Sequence, residues 1–224
     1  MNQELSGIEL PTASQADRRI AFASRGHCTA HIVLGENEGY RVQAESHLEL
    51  CNLFVLNSRL DVRKLREQAL FEWENNGHSG KHYFDVLAYL RNGFRIAFTV
   101  KPWVRVSSGR FKDEMREITT HALNVGFCDE VRLVTERDID PIDQRNAIMF
   151  AAVRTPDPEA EEVAMSFVST LKGSASLRDL TIRTEINARG YRALIRLIRN
   201  GILIAEARQL ITPKTHVRMR DTYR

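Results

Sequence analysis

Two charged residues, Asp85 and Lys101, stand in stretches of sequence that are otherwise apolar. Asp85 belongs to the run 82–90, and Lys101 follows the run 94–100; both runs are rich in aromatic and β-branched residues. The short segment Arg91-Asn92-Gly93 joins them, so the sequence predicts a β-hairpin with an Asn-Gly turn. A charge in a buried strand needs a neutralising partner or has a function. The pair therefore indicates a functional site.

Two further acids precede this hairpin in the chain. Glu45 and Glu49 lie at the start of a predicted helix that ends at about Asn57, and their spacing predicts that both carboxylates share one helix face. Carboxylates from a helix and a strand can converge on Mg²⁺, which prefers oxygen ligands. A lysine beside them can neutralise an attacking water or the phosphate under attack. Acid, acid and lysine in this order form the PD-(D/E)xK nuclease pattern.

Four segments extend this pattern over roughly residues 28–150. They are Ser46-His47-Leu48-Glu49-Leu50, the segment 61–68 that ends in Glu67-Gln68, the segment 82–86, and Val100-Lys101-Pro102. Their order and spacing resemble those of the TnsA-type endonucleases of heteromeric transposases. That family combines an S-x-L-E helix, a D-V-x-x-x-x-E-Q segment, a D-F strand and an E/Q-V-K strand. Without the resemblance, Glu67-Gln68 reads equally well as an exposed pair at a strand end.

The resemblance implies a magnesium- or manganese-dependent endonuclease that cuts one DNA strand at the end of a mobile element. Glu49, Asp85 and Lys101 take the catalytic positions, and Glu49, Asp85 and the Val100 carbonyl are the expected metal ligands. One position departs from the family: Thr99 stands where the family has Glu or Gln, and Glu45 is the acid that would compensate. The implied partners are DNA, an integrase-like transposase subunit and an ATPase regulator.

The composition agrees with a globular protein that works inside the cell. Of the 224 residues, 43% are hydrophobic and 27% are charged, and no apolar run approaches the roughly 20 residues that cross a bilayer. We therefore expect no membrane association. The first residues lack a basic-then-apolar signal, and the three cysteines are scattered without a C-x-x-C spacing. These features predict a cytoplasmic location and cysteines that act as small buried apolar residues.

The order of predicted elements describes the domain that carries these residues. Residues 1–17 are polar and predict a flexible arm. Residues 18–154 predict strands, helices and a closing helix from about Ile139 to Arg154, with a further helix over 107–125 that Gly126 ends. This succession predicts an α/β domain, a mixed sheet flanked by helices as in restriction endonucleases.

The segment Thr155-Pro156-Asp157-Pro158 predicts a domain boundary. Beyond it the charge changes sign: residues 172–224 hold 12 Lys and Arg against 4 Asp and Glu, and the remainder holds 20 against 25. Residues 155–224 are a candidate winged helix-turn-helix domain. The sequence predicts three helices there, over 159–171, 176–184 and 186–200, followed by strands at 202–206 and 210–212. On a helical projection of the third helix, one face carries four arginines that we expect to contact DNA phosphates: Arg189, Arg192, Arg196 and Arg199. Lys214, further along the chain, is a fifth expected contact.

Two other functions are open at this point. A silent nuclease fold that binds DNA as an assembly protein is favoured by Thr99, and such a protein would gain activity from Thr99→Glu or Thr99→Gln. A winged-helix regulator in which residues 18–154 sense a ligand is the second. It leaves Asp85 and Lys101 without a role.

Overall fold

The computed structural model describes residues 10–20, 28–75, 78–107 and 109–221. The N-terminal part holds an antiparallel strand pair, β1 and β2, and the first helix, α1, which span Ala30–Leu34, Tyr40–Ala44 and His47–Ser58. The predicted helix is present, but it begins at His47, and Glu45 precedes the N-cap residue Ser46. The prediction that Glu45 and Glu49 share one helix face is therefore wrong.

A four-stranded mixed sheet with flanking helices forms the centre of the molecule, as the sequence predicted. Its strands are β3, β4, β5 and β6, which span Val62–Asn75, His78–Leu90, Arg95–Val100 and Glu130–Val134. The strands are ordered β3-β4-β5-β6. The first two pairings are antiparallel and the third, between β5 and β6, is parallel.

The predicted hairpin is confirmed as β4 and β5. Its turn contains Gly93, whose φ of 88° lies in the left-handed region that glycine adopts without strain. The Gly93 N–H donates to the Leu90 carbonyl, and the Leu90 N–H donates to the Phe94 carbonyl. The hairpin fixes the separation between Asp85 on β4 and the end of β5.

Helices cover both faces of this sheet. The short α2 and the longer α3 and α4 span Trp103–Val106, Gly109–Asn124 and Pro141–Ala152. One apolar cluster joins α1 to Val86, Ala88 and Phe98, and another joins α3 to Leu87 and Ala97. Because alternate residues of β4 and β5 enter different clusters, α1 and α3 lie on opposite faces. The predicted helix over 107–125 is confirmed as α3, and the short α2 precedes it. Ser108, which the sequence favours as its cap, lies outside the described residues.

The C-terminal part contains three helices and a small sheet. The helices α5, α6 and α7 span Pro158–Val168, Leu177–Thr184 and Asn187–Arg199. The strands β7, β8 and β9 span Ala175–Ser176, Leu203–Ala205 and His216–Met219, in the order β7-β9-β8. The predicted strand at 210–212 is wrong, and the strand that pairs with β8 lies further along the chain. The apolar core of this part also takes Val153 and Phe150, so α4 contributes to it.

Two helices begin with the same local signal. Asp140 caps α4 and Asp157 caps α5, and each is followed by a proline at the first helical position. The Asp side chains accept N–H groups that have no partner within the helix, and proline lacks the N–H that would be unpaired there. The prediction of a helix opened near Pro141 is confirmed.

The predicted N-terminal arm is docked where the structure describes it. Residues 1–9 lie outside the described residues, and we call residues 10–20 the strap. The strap pairs with Tyr40 of β2 at Thr12 and contacts β3 from Ser14 to Arg18. The Asp17 N–H donates to the Gln68 carbonyl (3.2 Å), and the Asp17 carboxylate accepts the Leu70 N–H and the Arg66 guanidinium. The described part of the predicted arm, residues 10–17, thus makes specific contacts with the rest of the chain.

None of the helices in the described ranges is both long and apolar enough to cross a membrane. Cys51 and Cys128 are buried as expected, but Cys28 is exposed.

Candidate active site

Glu49 sits in the first turn of α1, where it closes a capping box. The Ser46 hydroxyl accepts the Glu49 N–H (3.2 Å) and donates to Glu49 Oε1 (3.0 Å). Glu49 Oε2 accepts the Glu45 N–H (2.9 Å). This arrangement matches the S-x-x-E signal of a helix start, with the Glu45 N–H in place of the N-cap N–H that the glutamate of this motif usually accepts. Each carboxylate oxygen has a donor and keeps a further lone pair for another ligand.

Asp85 and Lys101 form an ion pair at the end of β5. Lys101 Nζ lies 3.1 Å from Asp85 Oδ2. The same oxygen accepts the Val100 N–H at 2.7 Å. Asp85 is only 4% exposed, and its charge is therefore balanced by the lysine and a backbone donor instead of by water. The side chain of Lys101 remains partly exposed.

The two acids and the lysine interact electrostatically. Burial raises the pKa of Glu49, and the negative charge of Asp85 raises it further. The hydrogen bonds from Glu45 and Ser46 and the positive charge of Lys101 oppose this rise. The structure thus brings together Glu49, Asp85 and Lys101, which the sequence pattern had selected.

Thr99 faces a different partner. It is fully buried, and its Oγ1 lies 3.2 Å from His82 Nε2. Burial lowers the pKa of His82 to about 4, although the charge of Asp85 opposes this effect. His82 is thus a neutral imidazole at neutral pH. It is hydrogen-bonded to the Thr99 hydroxyl, which stands where TnsA-type nucleases have Glu or Gln.

Glu45 is paired with Arg18 of the strap. Arg18 forms a salt bridge to Glu45 (2.8 Å) and donates to Gln68 Oε1 (2.6 Å). Gln68 and its neighbour Glu67 are both buried in the middle of β3, so the interpretation of this pair as an exposed strand end is wrong. Glu67 accepts a hydrogen bond from Ser14 of the strap. Burial raises the pKa of Glu67 despite this bond.

The site offers a divalent cation only the smallest number of protein ligands that such an ion commonly has. The described residues contain no group of three or more His, Cys, Asp and Glu side chains that could hold a metal. Glu49 and Asp85 are two carboxylates whose mutual repulsion a cation would relieve. Mg²⁺ is commonly held by one or two carboxylates with waters completing the shell, and the donor set therefore fits. Neither Glu45 nor Thr99 adds a ligand in this arrangement.

The arginines of α7 have intramolecular partners. Arg189 binds Asp157 and Glu159 of α5, and it lowers the pKa of Asp157 to about 2. Arg192 donates to the Ala152 carbonyl (3.1 Å). Arg196 is only 4% exposed and pairs with Glu161. The prediction that Arg196 lies on a face open to DNA phosphates is wrong, because the acidic face of α5 covers it.

The connection between β8 and β9 is docked on α4. Arg208 binds Asp140 (3.0 Å) and Asp143 (2.6 Å). Asn146 donates to the Gln209 carbonyl and accepts the Ile211 N–H. Lys214, in the same connection, is exposed. Of the predicted DNA contacts, Arg192 and Lys214 are the exposed ones without a carboxylate partner among the described residues.

Arg18 and His82 were not selected from the sequence as site residues, and Gln68 was noted only as part of the E-Q segment of the resemblance. His82 lies three residues before Asp85, which was a signal available in the hairpin. Arg18 and Gln68 are brought together from about 50 residues apart, and no local pattern connects them.

No model of a known protein family matches this sequence, and no curated protein matches it.

Proposed function

We propose that this chain is a metal-dependent DNA endonuclease of the TnsA type, which cuts one strand at the end of a mobile element. The observation that carries the proposal is the meeting of Glu49, Asp85 and Lys101. A helix start supplies the first residue and a hairpin supplies the other two. Helix capping accounts for Glu49, but it does not require a second buried carboxylate and a lysine beside it, and such a cluster is more typical of a functional site.

Each residue has a defined role in this proposal. Glu49 and Asp85 hold one or two Mg²⁺ or Mn²⁺ ions, and the Val100 carbonyl is a further candidate ligand. Lys101 donates to the attacking water or to the scissile phosphate, since its ammonium is partly exposed while Asp85 fixes its position. In-line attack by water on the phosphodiester leaves a 3′ hydroxyl on one side of the cut. A bound divalent cation supplies a Lewis acid for the phosphoryl oxygen and lowers the pKa of a bound water.

The C-terminal part is proposed as a winged-helix domain that contacts DNA or a partner protein. Three helices followed by a β-ribbon support this interpretation. The basic excess of residues 172–224 supports an anionic partner. By resemblance, the proposed partners are an integrase-like transposase subunit, which cuts the other strand, and an ATPase regulator.

A second candidate is a catalytically silent assembly protein that keeps the nuclease fold. Thr99 favours it, because its hydroxyl is bound to His82 and the described residues offer only two carboxylates for a cation. This candidate and the first make opposite predictions for metal binding.

Calorimetric titration of Mn²⁺ into the folded protein tests the proposal directly. The wild type should bind Mn²⁺, and Asp85→Asn should abolish binding, because the amide keeps the shape but loses the charge. Asp113→Asn is the matched control: it removes one carboxylate charge from α3, where Asp113 is exposed.

Retained binding in Asp85→Asn would place the cation elsewhere and contradict the proposed site. Absence of binding to the wild type, both alone and with a short DNA duplex present, would favour the silent protein. If Mn²⁺ binds as expected, a cleavage assay with the partner transposase follows.

A further inference from the structure

A basic cleft lies where α7 meets the N-terminal part of the molecule. It has a volume of about 470 Å³, and four arginines and two glutamates line it: Arg91, Arg154, Arg196, Arg199, Glu36 and Glu161. A smaller cavity of about 250 Å³ shares Arg91 and Arg199 with it and extends to Tyr40. The cleft is separate from the candidate active site, since neither cavity is lined by Glu49, Asp85 or Lys101.

Three of the arginines are held by backbone carbonyls. Arg91 donates to the Leu60 carbonyl at 2.9 Å, and Arg154 to the Asn37 carbonyl at 2.6 Å. Arg199 reaches the Gly35 carbonyl at 3.4 Å. A carbonyl orients a guanidinium but does not neutralise it. The three side chains are therefore positioned by groups that leave their charge in place, and the cleft holds four guanidiniums against two carboxylates, Glu36 and Glu161.

The fourth arginine, Arg196, has an unused donor. Its Nε binds Glu161, but its Nη2 has no hydrogen-bond partner among the described residues, although the side chain is almost completely buried. A buried donor without a partner is costly and uncommon in folded proteins. Such a group, lining a cleft with three other guanidiniums, indicates a ligand that accepts hydrogen bonds.

The surroundings of Arg199 agree with this. Burial lowers the pKa of Arg199, and the positive charge of Arg154 lowers it further. The negative charge of the exposed Glu36 opposes this lowering more strongly than Arg154 adds to it, and Tyr40 opposes it to a smaller extent. The folded protein thus packs like charges together in a partly buried place, which an anion in the cleft would relieve.

We propose that this cleft binds a phosphate-bearing small molecule of nucleotide size. Guanidiniums match phosphate oxygens with paired N–H donors, and several of them converging from different elements favour an anion with more than one charge. Small-molecule sites typically occupy roughly 300–1,000 Å³, and the cleft and the adjoining cavity together suit a polyphosphate with a nucleoside attached. The site does not depend on the proposed nuclease activity.

The test is calorimetric titration of inorganic pyrophosphate and of ATP into the full chain. A chelating buffer free of divalent cations keeps the candidate metal site out of the measurement. The variants are Arg91→Gln, whose side chain is exposed, and Arg199→Gln. The control is Arg116→Gln, which removes the same charge from an exposed position on α3. Thermal unfolding without ligand establishes that all variants are folded.

We expect pyrophosphate to bind the wild type and Arg116→Gln equally. Each cleft variant should bind about tenfold more weakly, as expected for loss of one charge-assisted pair. Tighter binding of ATP than of pyrophosphate would indicate that the adjoining cavity binds the nucleoside. Equal affinities would indicate that only the phosphates are bound. Both results support the cleft as a phosphate-binding site.

Three results would overturn the proposal. They are absence of pyrophosphate and ATP binding to the wild type, equal weakening in Arg116→Gln, and displacement of pyrophosphate by a short DNA duplex whose own binding falls in both cleft variants. The last result would assign these arginines to a nucleic-acid surface.

Discussion

Gln68 lies opposite Asp85 in the antiparallel register of β3 and β4. At this pair the alternation of side chains between the two faces of the sheet is interrupted in both strands. The register pairs Glu67 with Val86 and Ala69 with Phe84. Val86 belongs to the cluster around α1, whereas Phe84 belongs to the cluster around α3. Two residues apart in a regular strand share a face, so the alternation is interrupted between them.

The backbone of Gln68 gives the physical reason. Its φ is 48°, a left-handed conformation that costs a non-glycine residue free energy and persists only where the surrounding structure imposes it. Its side chain is held by Arg18. The interruption coincides with the one buried acid on β4, and it places that acid where the end of β5 can contact it.

Replacement of Asp85 should separate its structural role from its chemical one. Asp85→Asn keeps an acceptor for the Val100 N–H, whereas Asp85→Ala leaves that N–H and Lys101 without it. We expect Asp85→Ala to lower the free energy of unfolding by about 1–3 kcal/mol more than Asp85→Asn does. Chemical denaturation measures both. Equal losses would mean that the Asp85–Val100 bond contributes nothing to stability.

The same two variants, and Lys101→Met, should all lose DNA cleavage in the presence of the partner transposase. Lys101→Met keeps most of the side-chain length and removes the charge. Cleavage is measured as nicking of a plasmid that carries the element end, with Asp113→Asn as the control. A Lys101→Met protein that cuts at the wild-type rate would remove Lys101 from the mechanism.

His82 should make the protein less stable in mild acid. The pKa of His82 is lowered from 6.5 to about 4, so between these values the unfolded chain binds a proton that the folded chain does not. The free energy of unfolding therefore falls as the pH falls from 6.5 to 4, by up to about 3 kcal/mol from this group.

The measurement compares the pH dependence of stability in the wild type and in His82→Asn, which can still hydrogen-bond to Thr99. The raised pKa of Glu49 acts in the opposite direction, since its protonation favours the folded state, but it is common to both proteins. We expect a flatter profile for His82→Asn. Parallel profiles would show that His82 titrates normally in the folded protein.

Thr99 should not tolerate the residues that its position holds in TnsA-type nucleases. It is completely buried and bound to His82, and Thr99→Gln should cost about 1–3 kcal/mol through overpacking. Thr99→Val keeps the volume and loses only the hydroxyl, at about 1 kcal/mol. Thermal unfolding ranks the two. A Thr99→Gln protein as stable as the wild type would mean that the site has room for a longer ligand.

Gly190 permits the close approach of α6 and α7. A Cβ at this position would lie 2.0 Å from Thr184 Oγ1, so Gly190→Ala should destabilise the protein although alanine favours helices. Gly109→Ala is the matched control, because nothing lies within 4 Å of its added Cβ. Thermal unfolding should show a lower Tm for Gly190→Ala and an unchanged or higher Tm for Gly109→Ala.

Local signals explain which parts of the structure could be predicted. The Asn-Gly turn fixed the hairpin, and Ser46 with Glu49 marked a helix start, because in both cases the interacting groups are within a few residues of each other. The strand at 216–219 was missed although its polar and apolar residues alternate. The apolar pair Leu210-Ile211 led to the prediction of a strand at 210–212 instead. Ile211 is buried, but it lies in an irregular connection.

Long-range partners explain the rest. The spacing of Arg196 on α7 is that of a charged face, and only the packing of α5 decides that this face meets Glu161, 35 residues earlier in the chain. The same holds for Arg18, whose bonds to Glu45 and Gln68 depend on the docking of the strap. A helical projection contains no information about which neighbour covers a face.

The strap affects how readily two copies of the protein can associate through the edge of the sheet. β3 is the outermost strand of the four-stranded sheet, and such a strand carries N–H and carbonyl groups that can pair with a strand of another molecule. The strap takes up the Gln68 carbonyl and the Leu70 N–H, while Tyr40 takes up the Leu65 N–H. We therefore expect a chain shortened to begin after residue 20 to expose unpaired backbone groups along β3 and to aggregate more readily than the full chain.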